Sequence, residues 1–172
     1  MAEQKLNDFF SKIINLPQNK SDNFNRVLAV NSFFENYNDN LEKNVMDIGS
    51  GICVFLWKMN QYGWKCTALD PDKIQSRHAS HLGFDVIHSD FLNFKKYDKK
   101  YNLITFNKVL EHVLDPILML NHAKKFLNDK GLIYLELPDC ENAWLHIDNA
   151  LREEFFIEHH HGFSKKSIEV LA

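Results

Sequence analysis

Three carboxylates and two glycines stand where short apolar runs end, and their types and spacing describe a pocket for a cationic nucleoside. The run Val45-Met46-Asp47-Ile48 leads into Gly49-Ser50-Gly51. Glycines at such a strand-to-helix turn let the backbone bend tightly and approach a ligand, and the next helix offers free N–H groups and its positive dipole end. A second run, Lys65 to Leu69, ends at Asp70, whose carboxylate can accept two hydrogen bonds from a ribose diol; Asp90 follows a third run in Ser89-Asp90-Phe91. A lone G-x-G is also a common structural turn, and each acid alone also reads as a helix cap. Together they describe a nucleoside pocket better than three separate caps. A dinucleotide fingerprint needs glycine where Val54 stands, and Asp47 would set a negative charge beside a pyrophosphate. Both count against a nicotinamide-dependent reductase. A sulfonium ligand with a free amino group suits the acids better.

These residues need a scaffold that gathers strand ends along one rim. Residues 1–40 read as a helical segment: Ser21 can cap a helix carrying Phe24, Val27, Leu28, Phe33, Phe34 and Tyr37 at roughly helical spacing, and Pro17 separates it from a shorter helix around Phe9 to Leu16. Asn38-Asp39-Asn40 breaks the pattern. Residues 41–172 read as an α/β domain of short apolar strands alternating with amphipathic helices, the signature of a mostly parallel sheet covered on both faces. Strands are expected at Val45 to Ile48, Lys65 to Leu69, Phe84 to His88, Tyr101 to Phe106 and Leu132 to Leu137, with right-handed crossovers. Gly63 and Gly83 close the first two helices, Pro71 is expected in the first turn of the second, and Asp115-Pro116 opens the helix carrying Leu118, Leu120, Ala123 and Leu127. Ser164 caps a last helix. In such a sheet the ligand lies beyond the carboxyl ends of the strands, where the strand order reverses.

Composition narrows the partner. The chain has 172 residues, 45% hydrophobic and 25% charged, with a formal charge of -3, enough for one complete core without disulfides or structural metals. Cys53, Cys66 and Cys140 are odd in number and form no C-x-x-C pair, so a reducing, cytoplasmic setting is expected. No apolar stretch approaches the roughly 20 residues a membrane helix needs. A slightly acidic chain lacks the attraction for phosphate backbones that general nucleic-acid binding requires. The expected partner is a small molecule, with no nucleic acid and no membrane.

Asp47-Ile48-Gly49-Ser50-Gly51, Asp70, Asp90 and Asn107-Lys108-Val109-Leu110-Glu111-His112-Val113 together resemble the class I S-adenosylmethionine-dependent methyltransferases over about residues 45–172, and the small-molecule branch most of all. The resemblance implies a Rossmann-like methyltransferase fold and S-adenosylmethionine as cofactor. It implies that Gly49 and Gly51 line the methionine part, that Asp47 helps hold its amino group, that Asp70 takes the ribose hydroxyls, and that Asp90 accepts from the adenine amino group. Phe91 would contribute backbone contacts and packing there, and Asn107 would sit beside the methionine moiety. The implied acceptors are sugars, polysaccharide precursors or quinone-like compounds. Two departures stand out. Cys53 occupies the place of a third glycine and would carry a side chain close to the ligand, and Asn102 replaces a frequent aspartate at the start of the fourth strand.

Methyl transfer from a sulfonium is an in-line displacement, so the protein chiefly aligns the reacting atoms. His112 follows the fourth strand and is the expected base for a reluctant nucleophile, histidine being the side chain that exchanges a proton near neutrality; a helix-start histidine bonded to backbone is the alternative. Glu111 would orient it or cap a turn. Glu153 to His161 mixes acids, aromatics and imidazoles in a segment that the resemblance sets near the acceptor, with His159 and Glu158 as expected acceptor contacts. Three adjacent histidines cannot all face one point, which disfavours a zinc site made from them alone. One of them with Glu136 or Asp139 is the arrangement that would hold a divalent ion, and no metal is expected. Trp57 and Trp144 are expected in the core.

The resemblance also implies seven strands, of which the last two have no residues here. That leaves the fifth strand as an open edge, which a second copy of the chain would cover. A truncated chain is the favoured expectation, and a cofactor-binding remnant acting through a partner is the alternative to an active enzyme.

Overall fold

The computed structural model describes residues 2–37, 40–96, 98–141 and 158–171. Two helices, α1 (Ala2–Ile14) and α2 (Asp22–Tyr37), precede an alternation of β1 (Asn44–Ile48), α3 (Val54–Gln61), β2 (Lys65–Asp70), α4 (Lys73–His81), β3 (Asp85–His88), β4 (Tyr101–Asn107), α5 (Pro116–Lys124) and β5 (Leu127–Glu136), and α6 (Lys165–Leu171) ends it. The five strands are parallel in the order β3-β2-β1-β4-β5. The order reverses between β1 and β4, so the switch-point rim is built from Gly49, Asp70 and Asn107. This is the α/β, Rossmann-like arrangement that the strand–helix alternation predicts.

Successive strand residues point to opposite faces, and in the central strands β1, β2 and β4 both faces are buried, which is why these strands read as continuous apolar runs. Val45 and Leu103 pack with Val27, Val30, Phe34, Leu56 and Met59 from α2 and α3. Their neighbours Met46 and Ile104 turn the other way, to Met119, Leu120 and Phe126 of the α5 side. Helix α2 therefore shares a core with the sheet.

Local chemistry sets the element ends. The Ser21 hydroxyl accepts from the Phe24 amide, Asp115 caps α5 ahead of Pro116, and Ser164 caps α6, each as the sequence predicts. Pro71 is corrected: Asp72 is the N-cap of α4, accepting from the Ile74 and Gln75 amides, and Pro71 lies outside the first turn. The first helix starts at Ala2, well before Phe9. Of the apolar stripe on α2, Val27 and Phe34 are buried, joined by Val30 outside it, but Leu28, Phe33 and Tyr37 are exposed, because the sheet covers only one side of the helix. Leu127 belongs to β5 rather than α5. It pairs with Tyr101, and the ladder then jumps to Leu132 opposite Leu103. Gly131 sits in that irregularity, where a Cβ would lie 2.9 Å from the Tyr101 carbonyl oxygen. Asn38, Trp144 and Glu153 to Ile157 lie outside the described residues.

Candidate active site

Backbone geometry at the first turn explains its glycines. Gly49 has φ +67 and Gly51 φ +52, conformations that side chains disfavour, and a Cβ on Gly49 would come 2.8 Å from Val109 Cγ2. The Gly49 amide donates to the Leu69 carbonyl at 2.8 Å, and the Gly51 amide donates to Asp70 Oδ2 at 2.9 Å. Asp70 Oδ1 accepts from the Asp72 amide at 2.8 Å. The acid expected at the ribose thus also clamps the turn to β2, and each carboxylate oxygen keeps a further lone pair for a ligand.

Cys53 takes φ +59 as N-cap of α3, which explains why glycine suits this position. Its side chain is fully buried, where burial pushes the thiol up to about 12, and its Sγ lies 3.7 Å from the Gly51 carbonyl oxygen, directly behind the turn. Asn102 is buried far from the rim. Its side chain donates to the Glu42 carbonyl and accepts from Asn128, bonds that use an amide's donor and acceptor together and account for asparagine there.

Asp47 is 2% exposed, one residue before the end of β1. Its Oδ1 accepts from Thr105 Oγ1 at 2.6 Å and from Asn107 Nδ2 at 2.8 Å, because the parallel register sets Asp47 opposite Thr105 on β4. Burial pushes its pKa up to about 7, opposed by those two bonds and by the nearby Arg26 guanidinium. Asn107 Oδ1 is buried without a hydrogen-bond partner among the described residues. A buried acceptor of this kind wants a donor. An acid and an unpaired carbonyl oxygen beneath a glycine turn therefore fit a ligand ammonium, the group that an S-adenosylmethionine tail would present.

Arg26 of α2 reaches across to Glu136 at the end of β5 as an ion pair, bringing one cation to this acidic rim. Sequence reasoning missed it, since the contact spans 110 residues and nothing local marks it. Thr105 was missed too, although its place two residues before Asn107 puts both on one face of β4.

Asp90 is exposed and caps a short 3-10 turn at Phe91–Asn93 through the Leu92 amide at 2.9 Å. The Phe91 ring lies in the core against Phe106, His122 and Phe126, so its side chain packs and does not line the rim. Trp57 packs with Phe10 of α1.

After β4, Lys108 has φ +55 and the chain enters a 3-10 turn at Leu110–His112. The Glu111 carbonyl accepts from the His160 amide at 2.7 Å and the His161 amide at 3.3 Å, which stitches the histidine segment to this turn. Glu111, His112 and His159 come together, with one ligand atom of each within 4.8 Å of the others. The His112 and His159 rings meet edge to face at 4.6 Å, and His112 Nδ1 lies 3.3 Å from the Glu158 carbonyl oxygen. The predicted trio is therefore one cluster. No such group includes Glu136 or Asp139 among the described residues, since Glu136 is engaged by Arg26.

A family model described as a methyltransferase domain matches residues 16–172. Among curated proteins, the ubiquinone biosynthesis O-methyltransferase of Actinobacillus pleuropneumoniae serotype 5b is 26% identical over 103 residues, covering 54% of this chain and 44% of that protein. The corresponding protein of Histophilus somni is 27% identical over 104 residues, with the same coverage of both. The match thus spans less than half the length of these relatives. Among solved structures, the plantazolicin methyltransferase BpumL in complex with SAH superposes with a TM-score of 0.75 at 17% identity, covering 98% of this chain and 67% of that one. The sugar N-methyltransferase KedS8 from Streptoalloteichus sp ATCC 53650 gives a TM-score of 0.64 at 10% identity, covering 77% of this chain and 53% of that one. Likeness at these identities establishes the fold.

Proposed function

The chain belongs to the methyltransferase domain family, and on that premise we propose that it transfers a methyl group from S-adenosylmethionine to a small-molecule acceptor. The observation that carries this reading is the buried Asp47–Asn107 pair under the Gly49–Gly51 turn, an anionic, partly unpaired cradle for an ammonium. Asp47 and Asn107 hold the amino group, Arg26 complements the carboxylate, Asp70 takes the ribose diol and Asp90 the adenine amino group. The cofactor supplies an activated methyl carbon on a positively charged sulfur. The chain's own part is to fix that carbon in line with the nucleophile and to ease loss of the acceptor's proton.

The cluster of Glu111, His112 and His159 stands for the acceptor side. Beside it in sequence, Leu114 is 81% exposed and Ile117 and Leu118 are exposed too. An apolar surface of this kind favours an aromatic or quinol-like hydroxyl compound over a bare sugar or polysaccharide precursor. Transfer of labelled methyl to a panel of quinols, sugars and amines tests the reading. His112→Ala is expected to lose transfer at least roughly a hundredfold while retaining cofactor binding. Equal rates would reduce the cluster to a structural role.

Two finer readings accompany this one. Among the described residues no helix is long and apolar enough to cross a membrane, and the three cysteines are free, which supports a reducing cytoplasmic setting. Among the described residues no strand pairs with the outer side of β5, which supports a homodimer in which a second copy covers it.

A further inference from the structure

The carboxylate of Glu111 presents an electrostatic problem that the fold itself does not solve. The residue is 1% exposed, and neither carboxylate oxygen has a hydrogen-bond partner among the described residues. A buried carboxylate left in this state is destabilising unless it takes up a proton or a cation. Besides the two imidazoles, Lys108 is a neighbouring cation that favours the charged carboxylate.

Two imidazoles face that carboxylate. Their ligand atoms and a Glu111 oxygen lie within 4.8 Å of one another. Around one ion with bonds of about 2.1 Å, ligand atoms sit about 3.0–3.5 Å apart, so closing the site requires movement of about 1 Å. The surroundings favour that closure. His112 Nδ1 faces the Glu158 carbonyl oxygen, a contact that keeps the ring proton on Nδ1 and leaves the Nε2 lone pair for a metal. The His160 and His161 amides hold the segment carrying His159 onto the Glu111 carbonyl.

We propose that Glu111, His112 and His159 bind one divalent transition-metal ion of the zinc type. Two imidazole nitrogens and one carboxylate oxygen suit such an ion, whereas magnesium and calcium favour all-oxygen sets. Three protein ligands leave a position open for water or an acceptor oxygen, and a hydroxyl bound to the ion loses its proton more readily. The ion would thus be the means by which the cluster eases deprotonation. That last role rests on the methyltransferase reading; the binding site does not.

Metal binding and cofactor binding are measured separately on the full chain. Chelator-treated protein is titrated with zinc chloride and cobalt chloride, the cobalt complex being followed by its visible absorption, with magnesium chloride as control. One equivalent of zinc or cobalt is expected, and none of magnesium. Glu111→Gln and His159→Ala are each expected to weaken binding at least roughly a hundredfold, and a His160→Ala, His161→Ala double variant to leave it unchanged. Calorimetry with S-adenosylhomocysteine on the same variants shows that they remain folded. Absence of zinc binding in protein that binds S-adenosylhomocysteine overturns the proposal, and so does binding that persists in His159→Ala or that is lost only with His160 and His161. Metal binding without any S-adenosylhomocysteine binding would uphold the site and sink the cofactor reading.

Discussion

At the scale of single residues, Asp47 couples stability to ligand binding. Its carboxyl is held at about 7, against an ordinary 3.8, by burial, with Thr105, Asn107 and Arg26 opposing the shift and Asp70 adding to it. In the pH range between these values the folded state keeps a proton that the unfolded chain has lost. The stabilising contribution is therefore complete below about pH 4 and disappears as pH rises through about 7. Asp47→Asn, which cannot ionise, should flatten the fall in Tm of the ligand-free protein between about pH 5 and pH 8 and raise Tm at the upper end by roughly 3–6 °C. Ligand affinity should run the other way. Binding an ammonium requires the carboxylate, so S-adenosylhomocysteine should bind the parent protein more tightly as pH rises toward about 7.5, and Asp47→Asn weakly throughout. Thermal melts and calorimetry across that range check both. Asp47, Asp70 and the glycines were legible in the sequence because they stand where the apolar period changes. Arg26 was not, since its partner Glu136 lies on a strand distant in the chain, and the burial of Glu111 depends on how the His159 segment folds back.

At the scale of elements, the turn after β1 carries the strictest steric demand. Gly49→Ala would combine a positive φ with a Cβ 2.8 Å from Val109 Cγ2, and is expected to cost about 2 kcal/mol, a Tm loss of roughly 4–8 °C. Adding Val109→Ala should recover part of this by removing the contact but not the part due to φ. Equal Tm in the parent and Gly49→Ala proteins would contradict the described turn. Strand and helix existence was readable from periodicity because the central strands β1, β2 and β4 are buried on both faces. Boundaries were less so. The start of β5 at Leu127 depends on pairing with Tyr101, a contact between strands that no local pattern encodes. Helix α2 shows a full apolar stripe, yet only one side of it meets the sheet.

At the scale of the whole molecule, the outer strands of the sheet among the described residues are β3 and β5. Edge β3 is four residues long and carries the exposed Asp85, which pairs with Lys99, features that discourage pairing with another strand. Edge β5 is longer and flanks an apolar groove lined by Val30, Phe33, Leu132 and Tyr134. Sedimentation equilibrium is expected to show a dimer, and a strict monomer at all concentrations would remove the second copy from the account. Fold class was legible because alternating strands and helices admit few arrangements, and the rim followed from the place where strand order reverses. The acceptor was not legible, since no motif specifies how the segment carrying His159 packs against the turn after β4. The most direct test of the cofactor reading is calorimetric titration with S-adenosylhomocysteine, with NAD as the comparison ligand. One equivalent of S-adenosylhomocysteine should bind, NAD should give no heat of binding, and Asp70→Ala should weaken affinity at least roughly tenfold through loss of the ribose contact. No binding of S-adenosylhomocysteine, or the same affinity in Asp70→Ala, would contradict the account.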